Sequence, residues 1–238
     1  MQDEQKRILR SLVIPGIFVL IMWLVKIFEI IFHTDLGVYG LAPLTWQGLP
    51  GILFAPLLHA NFSHLSVNTL PFFFLGGLLF YFYRSIAWKI FWLIWLTTGL
   101  WVWFFARGDS VHVGASGVVY GLASFLFLSG ILRRESKLMA ITLLIAFLYG
   151  GLVWGIFPQL FPHQPISWES HLMGLLAGAV LAVYYRNSGP QSKVYDWENE
   201  EEEGEDEDEN ENEEENNDQG PDDTGQSGGP KFNYEYKE

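Results

Sequence analysis

Two residues at the starts of apolar runs have the side chains that nucleophilic catalysis needs. Ser116 lies in the sequence Gly114-Ala-Ser-Gly117, and His171 lies at the start of a later run. A serine in the first turn of a helix is close to unpaired N–H groups and to the positive end of the helix dipole, which favour a developing oxyanion. An imidazole can act as the general base that makes a hydroxyl nucleophilic. The sequence therefore predicts a Ser–His dyad if two helices bring these residues together.

Small residues beside the two positions predict how those helices pack. Gly174 and Gly178 form a G-x-x-x-G pair, a pattern that allows another helix to approach closely. If they pack against Gly117 and Gly121, His171 reaches Ser116. Glycine and serine also pack helices without any catalytic role, so G-x-S-G is weak evidence when it stands alone.

A tyrosine provides the expected support for the imidazole. Tyr120 follows Ser116 by four residues and therefore shares its helix face. Glu169 is adjacent to the His171 motif but is expected to sit toward the preceding loop. We therefore expect packing against Tyr120, rather than an aspartate, to orient His171.

A third cluster contains two histidines and an amide, in the order His59-Ala-Asn-Phe-Ser-His64-Leu-Ser-Val-Asn68. His64 and Asn68 are four residues apart, so they share a helix face and could hold an anionic oxygen in a dry site. His59, His64 and His171 could instead bind a metal, or lie in the interface as single histidines near helix ends do. Because the sequence has no H-E-x-x-H motif and no suitable intramembrane carboxylate, we expect neither a metal nor another cofactor.

The charge of the 238-residue chain divides it into two parts. Residues 187–238 carry 20 acidic and 3 basic residues, whereas residues 1–186 carry 7 acidic and 11 basic residues. The overall charge of −13 therefore comes from the tail, which we expect to be disordered and cytoplasmic, with a solubility role or an unidentified basic partner. The acidic excess argues against nucleic acid as a ligand, and the absence of cysteine excludes disulfides and cysteine nucleophiles.

Six apolar runs in residues 1–186 are each long enough to cross a bilayer, which takes about 20 residues. We predict an all-α membrane domain with six transmembrane helices: Leu12 to Phe32, Leu65 to Tyr83, Ile86 to Ala106, Gly114 to Leu132, Leu138 to Phe157, and Ile166 to Tyr185.

The basic residues predict the orientation of these spans. If the spans alternate, ten Lys and Arg residues fall on one side and only Arg107, with Asp109 close by, falls on the other. The positive-inside rule then places both termini in the cytoplasm. We expect the membrane to be a bacterial inner or plasma membrane. The outward segments are His33 to Ser63 and Pro158 to Pro165. The first is apolar for a loop, and we expect short amphipathic pieces lying in the interface, anchored by Tyr39 and Trp46.

The three motifs together resemble those of the rhomboid family of intramembrane serine proteases. The resemblance covers residues 1 to about 186 and rests on three patterns in the family's order. The first is H-x-x-x-x-H-x-x-x-N (His59, His64, Asn68), followed by Gly76-Gly77. The second is G-x-S-G with its tyrosine (Gly114, Ser116, Gly117, Tyr120). The third is H-x-x-G-x-x-x-G (His171, Gly174, Gly178).

The resemblance implies a role for each residue of the site. Ser116 would be the nucleophile, and His171 the general base and acid. His64, Asn68 and the Ser116 N–H would form the oxyanion hole. Tyr120 would stack on His171, and His59 would be structural. The substrates would be single-span or other transmembrane proteins.

The chain departs from the family pattern at two positions, and two other function classes remain open. Trp46-Gln47 stands where many members have Trp-Arg, and Ser170 precedes His171 where alanine is common. One alternative is a rhomboid-like pseudoenzyme that binds transmembrane clients without cutting them. The other is a small transporter or channel, for which Lys26 and Glu29 are the only paired charges within a span; we expect these two residues to snorkel or to pair locally.

Overall fold

The computed structural model describes residues 2–148 and 167–188, and this part of the chain is helical. Within it, the only pairing of extended backbone is an isolated bridge between Leu41 and His112. The helices are α1 (Gln2–Ile31), α2 (Gly51–Phe54), α3 (Phe62–Phe82), α4 (Ala87–Phe105), α5 (Ser116–Leu132), α6 (Ser136–Leu148) and α7 (Trp168–Tyr184).

Three of these helices, α1, α3 and α4, are long and apolar enough to cross a membrane. Helices α5 and α7 are apolar but have 17 residues each, at the short end of the range for a span. The second half of the predicted fifth span, the outward segment Pro158 to Pro165 and the acidic tail beyond residue 188 lie outside the described residues. The six-span topology and the tail therefore stay predictions.

Helix α1 begins about ten residues before the predicted span, because the polar segment at its start also favours a helix. It contains Pro15, whose ring removes a backbone donor but packs closely on α3. A β-carbon at Gly76 would lie 2.8 Å from Cβ of Pro15, and one at Gly77 would lie 2.6 Å from a methyl group of Leu12. The paired glycines therefore allow α1 and α3 to pack in close contact.

Helix α5 lies at the centre of the described bundle and contacts α3, α4, α6 and α7. The core contains fully buried side chains from α3, α4 and α5, including Phe72, Phe91, Trp95, Leu122 and Phe125. Apolar side chains of α1 are instead exposed along most of its length, as in a helix that faces lipid. The first residue of α5, Ser116, is therefore attached to the most enclosed helix.

The segment between α1 and α3 consists of short helical turns at 36–39, 46–48, 51–54 and 55–57. Two indole groups of α4 hold it: Trp95 Nε1 donates to the Leu53 carbonyl at 3.1 Å, and Trp103 Nε1 donates to the Thr45 carbonyl at 2.9 Å. Trp46, which lies in this segment, is largely exposed, at 83%. The predicted short pieces are therefore present, while their position in the membrane interface stays a prediction.

Candidate active site

Ser116 is the first residue of α5 and is half-buried, at the end of a turn that only glycine adopts easily. Gly114 has a φ of +114°, a backbone conformation that side chains with a β-carbon rarely adopt. Its N–H donates to the Ala55 carbonyl at 2.8 Å, and the Ala115 N–H donates to Nε2 of His59 at 3.4 Å. Two consecutive backbone donors therefore fix the turn that presents the serine.

His59 accepts one of those hydrogen bonds because its imidazole is neutral. Burial lowers the pKa of His59 from 6.5 to about 3, with His64 and Lys26 adding to the effect and the Leu57 backbone opposing it. Lys26 Nζ also donates to the His59 carbonyl at 2.9 Å and forms an ion pair with Glu29 at 3.0 Å. The expected local pairing of Lys26 and Glu29 is therefore present, and it ties α1 to the loop that carries His59.

His64 lies directly over the same turn. A β-carbon at Gly114 would lie 2.6 Å from Cε1 and 2.7 Å from Nε2 of His64. The His64 N–H is capped by the Asn61 side chain at 2.8 Å, and Asn68 Nδ2 donates to the His64 carbonyl at 2.9 Å. The structure thus brings the imidazole beside the residues that precede Ser116, and it holds the Asn68 side chain against the backbone of the same helix.

Helices α5 and α7 pack through their four glycines, with backbone against backbone. A β-carbon at Gly174 or Gly178 would overlap the carbonyl oxygen of Gly117 or Gly121, respectively. A β-carbon at Gly117 would lie 3.1 Å from the Ser170 carbonyl oxygen. The residue after Ser116 therefore lies against the residue before His171, so the starts of the two helices meet.

The imidazole of His171 is buried and stacks on the phenol ring of Tyr120. The ring centroids are 4.3 Å apart and the planes differ by 10°. Because Tyr120 stands one turn below Ser116 on α5, this stacking holds His171 against the helix face that carries the serine. A hydroxyl, an imidazole and uncapped helix N–H groups in one place are the set of groups that acyl transfer needs.

Sequence reasoning missed a second set of polar residues at the outer end of α7. Arg107 Nε donates to Oε1 of Glu169 at 2.5 Å. Glu169 is only 3% exposed, and its carboxylate is paired with a residue 62 positions away in the sequence. The signal available in the sequence was an acidic residue two positions before a candidate base, together with a single arginine on that side of the protein.

His112 is the other missed residue, and it links the loop after α4 to the start of α7. Its Nδ1 lies 2.5 Å from Oγ of Ser167, and the Ser167 and Ser170 hydroxyl oxygens are 2.7 Å apart. Burial lowers the pKa of His112, opposed by Glu169 and assisted by Arg107. Ser170, which replaces a common alanine, therefore takes part in a hydrogen-bond chain.

Comparison with known proteins identifies one family and several bacterial relatives. The family model for the rhomboid domain matches residues 46–188. Two proteins described as uncharacterized, from Mycobacterium bovis and Mycobacterium tuberculosis, are 37% identical over 182 residues, which is 74% of this chain and 75% of each relative. A further uncharacterized protein, from Mycobacterium leprae, is 32% identical over 187 residues, 74% of this chain and 71% of that relative.

Proposed function

Because the chain belongs to the rhomboid family and is therefore an integral membrane protein, we propose that it is an intramembrane serine endopeptidase. Its substrates are transmembrane segments of other proteins, and its catalytic residues are Ser116 and His171. The observation that carries the proposal is the stacking of His171 on Tyr120, one turn below Ser116, at a glycine-lined helix contact. The membrane is a bacterial inner or plasma membrane, with both termini in the cytoplasm.

The reaction begins when Ser116 Oγ attacks the scissile carbonyl carbon and His171 takes the hydroxyl proton. The carbonyl oxygen becomes an oxyanion, which the Ser116 N–H, His64 and Asn68 stabilise by donating hydrogen bonds. When the C–N bond breaks, the leaving amine receives the proton from the imidazolium. Water then hydrolyses the acyl-enzyme, again with His171 as base, and Ser116 is regenerated.

The substrate has to unwind before it can react. In a transmembrane helix, the scissile carbonyl is engaged in a backbone hydrogen bond and covered by neighbouring side chains. Glycine or proline near the cleavage site therefore favours cleavage, because both weaken a helix. The polar groups at the outer ends of α3, α5 and α7 supply the wet environment in which an unwound segment meets water.

The proposal is tested with Ser116→Ala and His171→Ala in proteoliposomes that contain a single-span substrate. We expect either change to abolish cleavage, whereas Ser66→Ala and His33→Ala, which alter exposed residues, leave it intact. A fluorophosphonate should label wild-type protein and His33→Ala, but not Ser116→Ala. Cleavage retained in Ser116→Ala would rule out the nucleophile. Substrate binding without cleavage or labelling in the wild type would favour the pseudoenzyme.

A further inference from the structure

An ion pair between a buried carboxylate and an exposed arginine, at the outer end of α7, has no part in the chemistry proposed above. Glu169 lies in the first turn of α7, where it is almost fully buried, and Arg107 covers it from the loop between α4 and α5 (residues 106–115). The Arg107 side chain is 63% exposed, so the arginine lies on the solvent side of the buried Glu169 carboxylate. A buried carboxylate is tolerated when it is paired, and here its partner comes from a different element.

The same loop makes a second link to α7 through His112. Nδ1 of His112 contacts Oγ of Ser167, and the backbone carbonyl of Ser167 accepts the His171 N–H at 3.3 Å. His112 is itself fixed by two backbone hydrogen bonds with Leu41, of 2.8 and 2.9 Å. The loop therefore holds Ser167, the residue directly before the helix that carries His171.

The course of this loop connects both links to the nucleophile. It leaves α4 beside Arg107, passes through His112, and ends in the turn that presents Ser116. A single stretch of about ten residues thus carries the serine at one end and binds the helix of His171 at two points. The two catalytic side chains are placed relative to each other by this loop as well as by the glycine contact.

We propose that Arg107 and Glu169 are a positioning pair, which sets the start of α7 so that His171 lies in register with Ser116. This inference rests on the proposed function. The pair acts through the helix and touches neither substrate nor the reacting atoms. Small displacements of a catalytic group lower turnover steeply, since about 1 Å can cost a hundredfold. Loss of the pair should therefore lower kcat and leave KM, which reflects substrate capture elsewhere, nearly unchanged.

The test compares Arg107→Gln, Glu169→Gln and the double variant in proteoliposomes. We expect each single change to lower kcat by about tenfold or more with KM within about twofold. The double variant should be no worse than the single ones, because the two residues act as one unit. Arg107→Lys keeps the positive charge and should recover much of the activity. Asp109→Asn removes an exposed carboxylate of the same loop and should behave like the wild type.

A second readout does not depend on cleavage. In protein labelled with 15N-histidine in micelles, Arg107→Gln should shift the ring signals of His171 and leave those of the exposed His33 unchanged. Because removing a charge can itself shift an imidazole signal, the shift has to exceed the shift in Asp109→Asn, which removes a charge from the same loop, in order to report movement of α7. The inference would be overturned by unshifted His171 signals or by a wild-type kcat in Arg107→Gln. It would also be overturned if thermal denaturation showed that unfolding of the variant accounts for the whole loss of kcat.

The two proposals can fail separately. If wild-type protein cleaves the substrate and the Arg107 and Glu169 variants match it, the positioning pair is wrong and the protease stands. If wild-type protein and Ser116→Ala are equally inactive, the protease is wrong. The His171 signals then decide whether the loop still sets the position of α7.

Discussion

At Gly114, both the backbone conformation and the packing of the site depend on the absence of a side chain. Its φ of +114° disfavours any residue with a β-carbon, and His64 occupies the space that a β-carbon would need. A side chain here displaces either the His64 imidazole or the turn that carries Ser116. Both groups belong to the proposed catalytic site, so the effect should appear in turnover before it appears in substrate binding.

We predict that Gly114→Ala lowers kcat by about a hundredfold or more and destabilises the fold by about 1–3 kcal/mol. The matched control is Gly108→Ala in the same loop, where no atom lies within 4 Å of the added methyl group. Cleavage assays and thermal unfolding in detergent measure the two effects. Gly114→Ala with the turnover of Gly108→Ala would show that His64 and this turn are not coupled.

The candidate site residues were predictable from sequence where their spacing is local. Ser116 and Tyr120 are one helical turn apart, and His64 and Asn68 are likewise one turn apart, so helix geometry alone places each pair on one face. Arg107 and Glu169 are 62 residues apart and meet only after the chain has folded. The sequence shows only that Asp109 lies near Arg107 along the chain, and it gives no sign of the contact with Glu169.

The contact between α5 and α7 determines whether the two halves of the proposed dyad meet. The helices touch through backbone atoms, so no side chain separates them at the four glycines. A methyl group at Gly174 overlaps the Gly117 carbonyl oxygen, and neither backbone can move aside without moving its whole helix. The outer ends of the helices would then separate, and with them Ser116 and His171.

We expect Gly174→Ala to reduce cleavage to background and to lower the free energy of unfolding by about 1–3 kcal/mol, as overpacking typically does. Gly16→Ala in α1 is the matched control, since its methyl group would make an ordinary 3.5 Å contact with Phe73. Unfolding in detergent and cleavage in proteoliposomes provide the two measurements. If Gly174→Ala proves as stable and active as Gly16→Ala, the close contact is dispensable.

Four helices were predictable together with their approximate ends, whereas the start of α1 and the turns after it were not. The apolar runs placed α3, α4, α5 and α7 within a few residues, because hydropathy records the stretch that avoids water. The hydropathy pattern did not predict the first ten residues of α1, because Gln2 to Ser11 is polar yet helix-favouring and hydropathy does not detect a helix that continues beyond the membrane. The turns between residues 33 and 61 depend on Trp95 and Trp103 of α4, so their geometry is tertiary.

Contacts at the two ends of the described bundle fit an alternating arrangement of the helices. At one end, Arg7 of α1 donates to the Tyr81 carbonyl of α3, and Arg133 donates to the Tyr185 carbonyl after α7. At the other end, the loops are joined by the Arg107–Glu169 pair. Most basic residues of the described chain belong to the first end, where the positive-inside rule places the cytoplasm.

This charge asymmetry makes a prediction about the whole molecule that can be tested with single cysteines, because the natural chain contains none. We predict that a membrane-impermeant maleimide labels Gly108→Cys in intact spheroplasts and labels Ser136→Cys only after lysis. Both positions are exposed, so a difference in labelling reflects the side of the membrane. Cleavage activity of each variant confirms that the fold is retained. Labelling of Ser136→Cys before lysis would show that the topology is the reverse of the predicted one. The proposed active site would then lie on the cytoplasmic side of the membrane. Substrates would have to present the cytoplasmic end of their transmembrane helix to it.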